Sequence, residues 1–433
     1  MKLTCKVLSA GLLLSVCMGC GKKATVTPTP VTTQTTPPVV VKDSLAYAEN
    51  VVSNGSNGYA FYRIPAIIKT PDGGLLAFME GRVTSSADYG NVKILAQKSM
   101  DNGKNWAAST LVAQNGNIQA DNSSPVVDYT DPLYPNGRIF LFYCTGNNTE
   151  ANVIQLNGVR EIFYVTSTDN GKTWAAPVNI TLQVSHPYQP SFNPAYVDPL
   201  KWSAYATGPG HALQVTQGSF AGRLVVPFNH GIYTTQTNYG AAFYTDDHGK
   251  TFHISPDVTL QSDETTAAEL PGGGIILNSR DQYLGGNTRI ISTDVTGKLD
   301  NTTQWNSAFN TGLPEPVCEG SMLTYTTPAG KQVLLFANPT DTYARDYIGV
   351  RQSFDGGKTW TKAYIVDPGP SGYSDIVALP NGHITTPCKG RMISNISAGY
   401  NAVIAHQLVK CLQRIKTPVP GICADINCII IYG

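Results

Sequence analysis

The stretch SFDGGKTW, residues 353–360, decides how this chain folds, because it is written three more times. SMDNGKNW occupies 99–106, STDNGKTW 167–174 and TDDHGKTF 245–252. Each copy is preceded by an apolar, strand-like run: NVKILAQKS, EIFYVTS, GAAFYT and DYIGVRQS. Each is followed by a shorter one: TLVAQ, PVNIT, FHISP and KAYIVD. The eight residues therefore sit between two strands. Asp bonds the backbone of its own turn, Gly supplies positive φ, Ser or Thr caps the turn, and Trp or Phe anchors it underneath. Nothing in this list is catalytic. The repeats start at 99, 167, 245 and 353, which leaves room for a small multi-stranded sheet around each one. Sheet units of about 40–60 residues predict propeller blades, whereas a solenoid would repeat more tightly and evenly.

The bulk composition agrees. Among 433 residues there are 41 Gly, 28 Pro and 22 Tyr, and only 14% are charged, so many short strands and turns are expected rather than helices. Thirty basic residues balance thirty acidic ones, which gives no reason to expect a nucleic-acid partner. Lys2 and Lys6 precede the apolar run VLSAGLLLSVCMGC, too short to span a bilayer and suited to an export signal. Gly19 before Cys20 resembles a bacterial lipoprotein signal over residues 1–20, with Cys20 as a lipid anchor. A periplasmic or cell-surface location, or secretion, follows as an expectation. KKATVTPTPVTTQTTPPVV lies within a Pro/Thr-rich linker spanning 21–44. Of nine cysteines, only Cys144 and Cys318 fall in the long middle, so no disulfide scaffold is expected, and the last four lack zinc spacing.

A few charges stand inside apolar, strand-like sequence. FYRIPAII carries Arg63, GGIILNSRDQ carries Arg280, and LLFANPTDTYARDYIGVR carries Arg345. A lone arginine of this kind is usually a solvated one; three at strand ends, on different blades, could converge at the mouth of a propeller. YRIP at 62–65 resembles the Tyr/Phe-Arg-Ile-Pro signature of sialidases, and the four repeats resemble their Asp-boxes. The resemblance covers residues 45–384. It implies an all-β fold, a six-bladed β-propeller of four-stranded antiparallel blades, and an exo-α-sialidase acting on glycoproteins, glycolipids or oligosaccharides that end in sialic acid.

It also implies roles. Arg63, Arg280 and Arg345 would clamp the carboxylate that sialic acid bears on its anomeric carbon, because planar forks bind a carboxylate through two bonds each. Asp88, in GRVTSSADYGN, would be the general acid and later the base for water; without YRIP nearby it would be read as a turn residue, as Asp72 and Asp101 are. Tyr373, in PSGYSDIVALPNG, matches the tyrosine nucleophile by which sialidases depart from carboxylate-based glycosidases. The chemistry is sound, since a carboxylate nucleophile would be repelled by the substrate's own carboxylate. A phenol, ordinarily with a pKa of about 10, needs a base, and Glu264 in SDETTAAELPGGGIILNSR matches it, with Glu269 structural. Arg82, beside Glu80 in FMEGR, would support the site or form a subsite. The segment holding Asp121, Asp128 and Asp131 would help line the glycerol and N-acetyl pocket. No metal or other cofactor is expected, there being no His-x-Glu cluster and no phosphate loop. A non-catalytic sialic-acid-binding propeller and an intramolecular trans-sialidase would use the same residues.

From about residue 385 the sequence changes character. Lys389, Gly390 and Arg391 stand where the family carries a glutamate that buttresses the first arginine, and TTPCKGRMISNISAGYNAVIAHQ shows no alternating strand pattern. DNA encoding CKGRMISNI can also encode Gln-Arg-Glu-Asp-Asp-Ile-Gln-Tyr in another frame, which resembles the absent ending. Residues 385–433 are therefore expected to be either out of frame or a divergent tail, leaving the last blade poorly closed and Arg63 without its partner.

Overall fold

The computed structural model describes residues 45–327, 330–379, 402–410 and 426–432, all within the unit Lys42–Gly433. The expected signal, linker and Cys20 lie outside the described residues, as do Lys389, Gly390 and Arg391.

The regular structure of the described residues is nearly all β, in antiparallel groups built on four strands, with Leu213–Gln214 as a fifth strand in the third. The first comprises Phe61–Lys69, Leu75–Arg82, Val92–Ser99 and Thr110–Ala113. Gln119–Asp128, Arg138–Gly146, Arg160–Ser167 and Val178–Asn179 follow, joined to the first by one parallel pair, Val92 with Gln119. Next come Trp202–Thr207, Leu224–Ile232, Thr237–Thr245 and His253–Ile254. Thr265–Glu269, Ile275–Ser279, Thr288–Asp294 and Asn306–Pro314 form another group. Ser321–Thr326, Gln332–Pro339, Asp346–Ser353 and Tyr364–Pro370 form the next. The last sheet runs Ser374–Ala378, Ile426–Tyr432, Ala402–Lys410, Leu45–Ser53, so the first described strand lies at its outer edge.

That last sheet corrects two expectations. Two tail strands form where no alternating pattern stands, and they complete a four-stranded group. AVIAHQLVK and INCIIIY are largely apolar runs, and backbone pairing requires no alternation.

Hydrogen bonds between successive groups run in a closed ring. Asn122 N–H donates to Glu80 Oε1 at 3.0 Å, and Thr207 Oγ1 donates to the Asn122 carbonyl at 2.6 Å. Thr265 N–H reaches the Gly208 carbonyl at 3.1 Å, and Met322 N–H reaches Thr266 Oγ1 at 3.1 Å. Asp375 then accepts from Ser321 Oγ at 2.5 Å and from Ile67 N–H at 2.8 Å, returning to the first group. The architecture is a β-propeller. Strands covered on both faces by neighbouring sheets read as continuous apolar sequence, and every residue of LLAFMEGR at 75–82 is buried.

The four repeats share one set of bonds, and the repeats at Gly171, Gly249 and Gly357 pack against the preceding group. In each, the Ser or Thr hydroxyl donates to the Asp carboxylate at 2.8–2.9 Å and accepts from the Gly N–H at 2.8–2.9 Å. The glycines have φ between 81° and 88°, and a Cβ on Gly171, Gly249 or Gly357 would lie 2.6–2.7 Å from Leu76, Phe140 or Ile276 of the preceding group. Phe252 packs edge-on against Phe142, and Trp174 against Phe78, across the same seams. Burying one such ring contributes about 1.5–3 kcal/mol.

Candidate active site

Glu264 directly precedes the strand Thr265–Glu269, and Arg280 directly follows Ile275–Ser279. Arg280 N–H donates to the Glu264 carbonyl at 2.9 Å, so the hairpin register sets the two side chains opposite one another at one end of the sheet. Arg280 Nη1 lies 2.6 Å from Glu264 Oε2. Tyr373, one residue ahead of Ser374–Ala378, is brought onto this pair from the last group. Its hydroxyl donates to Glu264 Oε1 and accepts from Arg280 Nη1 at 3.2 Å. Burial, then the Glu264 charge, push the phenol well above its ordinary pKa, so it stays protonated until a base removes the proton.

Arg345 precedes the strand Asp346–Ser353. Its guanidinium carbon stands 5.7 Å from the Tyr373 ring centroid, and its Nη2 donates to the Val317 carbonyl at 2.8 Å. Ser371 N–H donates to the Arg345 carbonyl at 2.7 Å, tying the Tyr373 turn to this arginine's backbone.

Arg63 comes from the first group through an irregularity. The pairing of Phe61–Lys69 slips between Arg63 and Ala66, and Ile64 has φ of +54°, an uncommon state for a β-branched residue. The bulge turns Ile64 inward, where it packs with Cys318 and Tyr373. Arg63 Nη1 is 2.9 Å from Asp88 Oδ1. Arg63 therefore pairs with Asp88, while the positions where a buttressing glutamate was expected lie outside the described residues.

Arg82 completes that corner. It is buried, pairs with Glu80 Oε2 at 2.6 Å, and places Nη1 2.8 Å from Asp88 Oδ1. Asp88 is itself 76% exposed at the side chain. Partial desolvation raises its pKa, but Arg82, then Arg63 and Arg160, outweigh this and hold the carboxyl below its ordinary range.

All the site residues named from the sequence thus fall in two adjoining clusters, Glu264–Arg280–Tyr373–Arg345 and Arg63–Arg82–Asp88, linked where Ile64 touches Tyr373. Glu269 is buried and accepts from Thr216 and Gln217, a structural role as expected. Asp121 lies near Asp88, since Gln119 Nε2 donates both to Asp121 and to the Asp88 carbonyl. Asp128 and Asp131 stand at the far end of the same strand and beyond it, held by His248 and Arg138.

Two residues escaped the sequence reading. Arg160 pairs with Asp121 at 2.6 Å, and no local pattern marks it. Asp263 accepts from Asn229 Nδ2 at 2.7 Å and lies 4.0 Å from Arg280 Nε. Burial and the adjoining Glu264 push it above the usual carboxylate range. Its position beside Glu264 in the sequence was the only available signal.

The site is thus a buried phenol paired with a carboxylate and touched by guanidiniums, with an exposed aspartate in the adjoining arginine cluster. The BNR repeat-like domain family matches residues 73–386, and this chain belongs to that family. A sialidase of Micromonospora viridifaciens is 30% identical over 361 residues, covering 77% of this chain and 50% of that protein. A sialidase of Bacteroides fragilis is 28% identical over 346 residues, covering 74% of this chain and 58% of that protein. The chain thus spans little more than half the length of these relatives. Among solved structures, Hadza microbial sialidase Hz136 shares the fold with a TM-score of 0.66 at 24% identity, covering 83% of this chain and 65% of that one.

Proposed function

We propose that this chain is a retaining exo-α-sialidase. The observation that carries the reading is the three-way contact of Tyr373, Glu264 and Arg280, with Arg345 over the Tyr373 ring. Arg63, Arg280 and Arg345 take the substrate carboxylate. That carboxylate competes with Asp88 for Arg63; once Arg63 is neutralised, the Asp88 pKa rises and the residue takes up a proton. Tyr373 Oη then attacks the anomeric carbon and gives its proton to Glu264. The glycosidic bond breaks, and the leaving oxygen receives the Asp88 proton. Asp88 next deprotonates a water, which attacks the same carbon, and the Tyr373 oxygen departs with the proton held by Glu264. Sialic acid is released with its configuration retained.

We read the four-stranded groups as six blades, and residues 1–44 as an export signal with a tether, placing the enzyme outside the cytoplasm. The test is turnover of a fluorogenic α-sialoside. The native chain should release the fluorophore, and Tyr373→Phe should lose at least about 1000-fold in kcat. Binding without release by the native chain would contradict the reading.

A further inference from the structure

Two residues past the phenol, Asp375 takes five hydrogen bonds with no exposed surface. Oδ1 accepts from His211 Nδ1 at 2.6 Å, from Ser321 Oγ at 2.5 Å and from its neighbour Ile376 N–H at 3.0 Å. Oδ2 accepts from Ile67 N–H at 2.8 Å and from His211 N–H at 3.0 Å. These donors belong to four different sheets or the segments that lead into them. Ile67 sits on the strand that carries Arg63, four residues further along.

Ser374, between the phenol and this carboxylate, is fixed as well. Its N–H donates to Glu319 Oε2 at 2.9 Å, and its hydroxyl donates to the Ala337 carbonyl at 3.2 Å. Glu319 is buried, and its Oε1 has no partner. Burial pushes its carboxyl well above the ordinary range, and the side chain that collects the donors here is that of Asp375. His211 opposes it: burial lowers the imidazole pKa, but Asp375 outweighs that and raises it. Gly210 passes between the two carboxyls with a φ of +102°, a backbone state that favours glycine. A Cβ there would stand 3.6 Å from both Asp375 Oδ1 and Glu319 Oε1.

We propose that Asp375 is a positioning residue for the Tyr373 nucleophile, fixing the turn that carries the phenol against Glu264 by gathering donors from the first, third and fifth groups onto the last. This rests on the sialidase reading above. A turn pinned on both sides cannot drift, and about 1 Å of misplacement at a reacting atom costs on the order of 100-fold in rate. Asp375 touches neither substrate nor the reacting atoms, so it should act on the rate of attack and not on recognition of the carboxylate.

The experiment compares Asp375→Asn and the milder Ser321→Ala with the native chain. It uses two probes: an unreactive 2,3-unsaturated sialic acid for binding, and a 2,3-difluorinated sialic acid that captures the nucleophile covalently. Asp375→Asn should slow capture at Tyr373 and lower kcat by about 100-fold, and Ser321→Ala by about 10-fold, with Kd for the unsaturated probe within about threefold of native. Ser321→Ala keeps the carboxylate and should fold even if Asp375→Asn does not. Native capture rates in folded Ser321→Ala, or binding lost in proportion to rate, would overturn the proposal. If the native chain itself is neither captured nor turns over a sialoside, the sialidase reading falls, and this proposal with it.

Discussion

Tyr373 donates its phenol proton to Glu264 across a sequence separation of 109 residues. The pair is assembled before any substrate arrives, and Arg280 touches both members. A phenol whose pKa is raised by burial is thus held protonated beside a carboxylate that can accept its proton.

Glu264→Gln should therefore remove the base and leave the phenol in place. The kcat for an α-sialoside should fall by about 100- to 10,000-fold, with little change in the Kd of a carboxylate-bearing inhibitor. Steady-state kinetics alongside a binding titration checks this. A native kcat would show that Tyr373 is activated by another group.

Arg82→Gln should shift the pH profile. In the free chain Arg82 and Arg63 hold Asp88 ionised. Removing the Arg82 charge destabilises the carboxylate, raises its pKa and keeps Asp88 protonated to higher pH. The alkaline limb of kcat/KM should move upward, because that limb reports the acid of the free enzyme. A limb that stays put or moves downward would exclude Asp88 as the proton donor.

Gly249→Ala should cost stability without touching the site. Gly249 has φ of +81°, and a Cβ would meet the Phe140 ring at 2.7 Å, within the seam between two sheets. Strain and overpacking together should cost about 2 kcal/mol or more, read as a lowered Tm with kcat preserved in the folded fraction.

The repeats also set an acid limit. Burial raises the Asp169 pKa, but the bonds from Thr173, Ser167 and Lys172 together outweigh it and pull the value to about 2. Asp247 and Asp355 are lowered by the same pattern. A depressed folded-state pKa contributes stability that is complete above the unfolded value and is lost as pH falls through the folded one, here from 3.8 to about 2 for Asp169. Solvent exposure keeps each contribution small. Asp169→Asn should flatten the loss of Tm over that range, and an unchanged acid branch would contradict it.

How much of this was legible depended on range. The repeats were readable because every bond in them closes within a few residues, as from Gly171 N–H to Ser167 or Thr173 to Asp169. Their attachment to Leu76, Phe140 and Ile276 was not, since nothing local names the partner. Arg280 opposite Glu264 follows from hairpin register, but Tyr373 joins them only through closure of the ring, which the family resemblance supplied and periodicity did not. The bulge at Ile64, the Asp375 hub and the buried Arg289–Glu315 pair at 2.7 Å are long-range solutions to burying polar groups, invisible in any window of sequence. Leu45–Ser53 completing the last sheet with tail strands was equally hidden, because edge pairing depends on which strand lacks a neighbour.

The most direct measurement is tandem mass spectrometry of the chain after reaction with a 2,3-difluorinated sialic acid. One fluorosialyl group on Tyr373, absent from Tyr373→Phe, is the expected result. Labelling of Glu264 or Asp88, with Tyr373 unmodified, would contradict the account.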